Sequence, residues 1–205
     1  MSLHAARLAL MLAALAALPG CAALSALSGG PARDAYELRG NLPAARPAAR
    51  TRLHVIVEPP VVAGALDTER ILIRPNRLQA QYLPDGAWTD PPAEMLQTAL
   101  VREIDATGAF RYVGREPLGA GGDYALLTEI TDFQPEVTEG GGIVVRLRVV
   151  ARLVRESDVE VVGSRVFETT VPAASTATLA LVAALDAGMN RVVGEMAAWT
   201  VGALT

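Results

Sequence analysis

The segment IVVRLRVVARLV, residues 143–154, alternates more cleanly than any other part of the chain. Ile143, Val145, Leu147, Val149, Ala151 and Leu153 face one way, and Arg146, Arg148 and Arg152 face the other. A period of two over this length predicts a β-strand with one dry and one wet side, the signature of an antiparallel sheet packed on one face only. The turn Arg155-Glu156-Ser157-Asp158 sends it back into Val159–Val171. A hairpin centred there sets Arg146 opposite Glu168, a cross-strand ion pair. The same register puts Arg165 on the dry face, so either a bulge intervenes near Gly163 or that face is not fully covered.

Working outward, the pattern switches between periods of two and 3.6. Leu53–Val57 reads as a buried strand stopped by Pro59 and Pro60. Arg70–Arg74 and Leu78–Tyr82 follow as strands, and Asp85-Gly86 reads as a tight turn. Asp90 is a candidate N-cap with Pro91 in the first helical position, and Leu96, Leu100 and Ile104 recur at i, i+4 and i+8 until Gly108 closes the helix. Strands are predicted at Phe110–Val113 and Asp123–Phe133. From about Ser175 to Thr200 a long helix carries Leu181, Leu185, Met189, Val192, Met196 and Trp199 on one stripe. The fold class is therefore α/β in the α+β sense: a mixed, largely antiparallel sheet covered by two main helices.

The N-terminal part reads differently. Arg7 precedes an apolar block from Leu8 to Leu18, too short to span a bilayer and laid out as a secretory signal peptide. It ends in Leu18-Pro19-Gly20-Cys21, which looks like the lipobox of bacterial lipoproteins, with Pro19 where a small or β-branched residue is usual. The alternative, retention of Leu8–Leu27 as a membrane helix, has Pro19 and Gly20 against it. The domain reading is thus residues 1–20 as signal peptide, 21–52 as lipidated Cys21 and flexible tether, and 53–205 as a single domain. Tyr36-Glu37-Leu38 could form a short edge strand within the tether.

Composition removes whole classes of function. The net charge is −4, whereas phosphate backbones call for a basic patch, so nucleic acid is not an expected partner. All 18 basic residues are Arg, which rules out Walker-type lysine sites and Schiff-base catalysis. Beyond Cys21 there is no thiol and only one histidine, His54, inside the apolar run LHVIV. Neither a Cys-His dyad nor a multi-His metal site can be built from that set, and no Gly-x-Ser-x-Gly occurs. Gly140-Gly141-Gly142 joins two strands and has no helix N-terminus to aim at an anion. No catalytic residue, metal or cofactor is expected.

Two surface features stand out. Tyr82 and Trp88 flank the Asp85-Gly86 step, either as a cross-strand core pair or as an apolar edge offered to a partner. Arg146, Arg148 and Arg152 form a row that is either a solvated strand face or a dock for an acidic partner.

The lipobox, Tyr36, the stretches VEPPVVAGALDTERILIRPN (57–76), QYLPDGAWTDPPAEMLQTALVREIDATGAFRYV (81–113) and DYALLTEITDF (123–133), taken in order, resemble the ABC-type transport auxiliary lipoprotein family, the group of the paraquat-inducible operon lipoprotein. The resemblance implies a fold similar to the N-terminal domain of TolB. It implies a non-enzymatic periplasmic accessory of an MCE-type lipid transporter, working with an MCE-domain protein, a permease and an ATPase, and it leaves room for a homo-oligomer. In lipoproteins of this type an Asp after the Cys favours the inner membrane; Ala22 stands there, implying an anchor in the inner leaflet of the outer membrane. An envelope assembly factor, for lipopolysaccharide insertion or peptidoglycan-synthase activation, is the alternative reading.

Overall fold

The computed structural model describes residues 33–38, 50–119 and 121–205. Among these residues nine strands and two helices follow one another: β1 (Asp34–Tyr36), β2 (His54–Val57), β3 (Val61–Val62), β4 (Arg70–Asn76), β5 (Gln79–Trp88), α1 (Pro92–Ala106), β6 (Tyr112–Gly114), β7 (Tyr124–Val137), β8 (Ile143–Arg155), β9 (Glu160–Pro172) and α2 (Thr178–Leu204). Cys21 and the signal segment 1–20 lie outside the described residues, as does most of the tether.

β7 is the spine of the sheet. One of its edges pairs antiparallel with β8 along nearly its whole length, and β8 pairs antiparallel with β9. The other edge is shared in succession by β2, β3 and β4, all parallel to β7. β6 extends the sheet beyond β2, while β5 and then β1 extend it beyond β4. The long ladders are antiparallel and the parallel ones short, so the sheet is mixed and largely antiparallel, as its alternation predicts. Both helices cover one face. α2 lies over β8, β9 and β7, and α1 packs against α2, β6 and β2.

The alternation of β8 is what sets that face. Val145, Leu147, Val149, Ala151 and Leu153 are all buried, and they meet Leu181, Leu185, Met189, Val192 and Met196 of α2 in one core. Gly188 lets α2 approach closely: a Cβ there would come within 2.8 Å of Leu147 Cδ1. Arg165 does remain on the inner face, opposite Ala151, and both of the alternatives posed for it occur together. A bulge falls between Leu153 and Val154, where β9 runs from Gly163 to Val161, and Arg165 is exposed with its guanidinium 4.9 Å from the Phe167 ring centroid. The bulge admits Trp199, whose indole would touch any Cβ at Gly163 at 3.1 Å and meets Phe167 edge-on at 5.6 Å.

Local readings are corrected at three places. Asp85-Gly86 is no turn but part of β5; the turn falls earlier, at Arg77-Leu78, because Asn76 Oδ1 accepts the N–H groups of both Leu78 and Gln79 at 3.0 Å. Leu78, read as a strand residue, is the apex of that turn. Asp90 does not cap α1. Pro92 follows Pro91 and holds it in the extended region (ψ 149°), so Pro91 is the N-cap and Pro92 enters the first turn. The turn pairs Arg155 with Glu160, one residue beyond the expected register, and the β9 bulge adds one more, placing Arg148 opposite Glu168 and Arg146 opposite Thr170. By contrast Gly108 ends α1 as read, with φ +64°.

Candidate functional site

The face of the β7–β8–β9 ribbon turned away from the helices carries the arginine row. From one end to the other the rows read Leu127, Arg152, Ser164; Glu129, Val150, Val166; Asp132, Arg148, Glu168; and Gln134, Arg146, Thr170. Arg146 lies between two carboxylates. Its Nη2 is 2.8 Å from Glu136 Oε1 and its Nη1 is 3.0 Å from Glu168 Oε1, the latter reached diagonally across the ladder. The hydrogen bond that Arg146 donates to Glu136 raises the guanidinium's pKa above its ordinary value, and together with the charges of Glu136, Glu168 and Asp132 it outweighs the opposing desolvation. Arg148 is weakly engaged, with Nε 3.5 Å from Glu168 Oε2 and Nη1 donating to Thr131 Oγ1 at 3.3 Å. Arg152 is exposed and forms no ion pair among the described residues.

The three predicted cations thus share a face but not a state. Two are tied into a network with Glu168, and the third is free beside exposed apolar groups, Leu127 at 38% and Val166 at 46%. That apolar pair went unread in the sequence. Its signal is Leu127 following Leu126 in DYALLTEITDF, where the inward positions are Leu126, Thr128 and Ile130, so Leu127 must point out.

Tyr82 and Trp88 do not form a surface. Both lie on β5, and Trp88 is buried, meeting Phe133 edge-to-face at 5.8 Å. Tyr82 is half-buried, donates its hydroxyl proton to Ala65 O at 3.1 Å, and lies beneath the Arg70 guanidinium at 4.0 Å. Trp88 is therefore closed to a partner, because its indole is packed in the core against Phe133. His54 opens β2, with its ring edge-on to Tyr112 at 5.9 Å and its backbone N–H donating to Asp123 Oδ2 at 2.7 Å. Among the described residues no three His, Cys, Asp or Glu side chains gather as a metal-binding set. None of the described helices is long and apolar enough to cross a membrane.

A mixed sheet with helices on one face and a charged, partly apolar opposite face defines a class: an α/β domain with one covered and one open sheet face. The chain belongs to the family of ABC-type transport auxiliary lipoprotein components, whose model matches residues 36–197. It is 30% identical over 187 residues to the uncharacterized protein bll6063 of Bradyrhizobium diazoefficiens, covering 88% of this chain and 49% of that protein, so the chain spans about half the length of the curated relative it matches. The crystal structure of protein XCC0632 from Xanthomonas campestris is similar over 83% of this chain and 96% of that one, with a TM-score of 0.77 at 25% identity. A second uncharacterized protein of known structure shares the fold, with a TM-score of 0.66 at 17% identity over 83% of this chain and 99% of the other.

Proposed function

We propose that this protein is a non-enzymatic accessory of an MCE-type ABC lipid transport system. It is lipidated at Cys21, held in the periplasm at the inner leaflet of the outer membrane, and docks the MCE-domain protein that works with a permease and an ATPase. The match to the auxiliary lipoprotein component over residues 36–197 carries the reading. The open sheet face supports it as the docking surface. Arg152, without a carboxylate partner among the described residues, and the neighbouring Leu127 and Val166 suit a protein surface that offers an acid beside apolar groups.

The test is a pull-down of the full chain from gently solubilised membranes, beside Cys21→Ala and Arg152→Glu. Recovery of an MCE-domain protein with the lipidated chain, its loss with Cys21→Ala and a decrease of about tenfold or more with Arg152→Glu are expected. Recovery of cell-wall synthases or a lipopolysaccharide-assembly barrel in its place overturns the reading and favours an envelope assembly factor.

A further inference from the structure

The end of the sheet that carries the β4–β5 turn has a second feature, adjoining the Arg146 end of the arginine row. Leu78 is 95% exposed at the apex of that turn. Single exposed leucines are ordinary, but the turn that carries this one is braced by side-chain hydrogen bonds. Asn76 Oδ1 accepts the N–H groups of Leu78 and Gln79, and its Nδ2 donates to Gln79 Oε1 at 2.7 Å. Arg77 beside it and Arg74, three positions earlier on β4, line a groove of about 390 Å³ that runs to the β7–β8 turn. Neither arginine forms an ion pair among the described residues. Glu136 in the same groove is taken by Arg146, which leaves Glu139 as the opposing charge. Val137, 40% exposed, adds a second apolar group at this end.

The direction of the chain adds an independent argument. β1 runs parallel to β5 with Asp34 beside Gly86, so the backbone reaches Asp34 travelling from the side of the β4–β5 turn. Gly86 lies eight residues along β5 from Leu78, about 26 Å at strand rise. Cys21 lies twelve positions before Arg33, a reach of about 40 Å when extended. An anchor at Cys21 is therefore within reach of any membrane that the turn touches.

We propose that the β4–β5 turn is a direct membrane contact: Leu78 enters the headgroup layer of an anionic phospholipid bilayer while Arg74 and Arg77 meet its phosphates. A bilayer fits this tip because it accepts an apolar apex and neighbouring cations at one depth, with the arginine stems lying along the interface. The argument from chain direction rests on the reading of Cys21 as the lipid anchor.

The test places an environment-sensitive fluorophore at Leu78→Cys, and separately at Val159→Cys on the opposite hairpin, each in the full chain carrying Cys21→Ala so that the label is unique. With vesicles of equal parts phosphatidylcholine and phosphatidylglycerol, the label at 78 is expected to shift to the blue and be quenched by a lipid-borne quencher, while the label at 159 does neither. Arg74→Gln and Arg77→Gln are each expected to weaken the response about fivefold, and pure phosphatidylcholine vesicles to abolish it. A water-like label at 78 on anionic vesicles, or an equal response at 159, overturns the proposal. Intact mass of the wild-type chain from membranes reports lipidation of Cys21 separately, so failure of the anchor and failure of the tip are told apart.

Discussion

Val159, in the β8–β9 connection, has φ +56° and is 80% exposed. A β-branched side chain in the left-handed region is strained against its own backbone by about 1–2 kcal/mol. Val159→Gly is therefore expected to raise unfolding free energy by about 1 kcal/mol, read as a higher denaturant midpoint with unchanged slope. Gly86 poses the opposite case. Its backbone is ordinary strand, but a Cβ would meet Thr178 Cγ2 at 2.8 Å, Tyr36 Cε2 at 3.0 Å and Ile71 Cδ1 at 3.1 Å. Gly86→Ala is expected to cost about 1–3 kcal/mol in the same titration, since three neighbours from different elements must shift together. The dipeptide Asp85-Gly86 reads as a turn because turns are the commonest use of such a pair. Here glycine serves close approach, which depends on Tyr36 and Thr178, residues far away in the chain.

At the scale of elements, what repeats locally was readable and what depends on a partner was not. β8 and α2 carry their periods within themselves, so their faces, and the burial of the Leu181, Leu185 and Met189 stripe, followed directly. β3 is two residues long and exists because β7 offers it an edge at Glu129 and Ile130. The β9 register turned on the length of the β8–β9 turn and on a bulge beside Gly163, where Trp199 from the last helix packs. The arginine row was legible as a face, but its division into paired Arg146 and free Arg152 depended on Glu136 and Glu168 arriving from two other strands. Helix α1 likewise hides its most telling residue. Gln97 is 6% exposed on the apolar face, and its Nε2 donates to Val57 O at 2.8 Å. That carbonyl stands at the end of β2, before Pro59 and Pro60 stop the strand. Gln97→Leu preserves bulk but leaves a buried carbonyl unpaired, so a loss of about 1–3 kcal/mol is expected by thermal or chemical unfolding. Gln97→Glu, unable to donate when ionised, should be worse at neutral pH than in acid.

For the molecule as a whole, the decisive feature is where the compact unit begins. Arg33–Leu38 falls within the stretch read as tether, yet it belongs to the compact unit Arg33–Thr205, with β1 zipped to β5 and Leu38 only 8% exposed. On the proposed anchoring through Cys21, β1 acts as a clasp between the anchor arm and the domain. With it closed, twelve positions separate Cys21 from the domain; with it open, the arm runs to Thr51, thirty positions on. For a flexible chain these lengths correspond to r.m.s. spans of about 19 Å and about 30 Å, enough to change which height above a membrane the open sheet face can reach. The clasp is short, three paired residues and the Thr89 N–H donating to Tyr36 O at 2.9 Å, so its local stability rests largely on Leu38. Leu38→Ala removes most of that side chain from the core, at a cost of about 2–3 kcal/mol by the lower range for buried leucines. The loss should appear first as faster amide hydrogen exchange at Ala35, Tyr36 and Thr89, while the amides of β7 and β8 keep their protection. If exchange accelerates equally throughout the sheet, β1 is an integral strand and the arm has one fixed length; if it accelerates at the clasp alone, the domain has two reaches from one anchor.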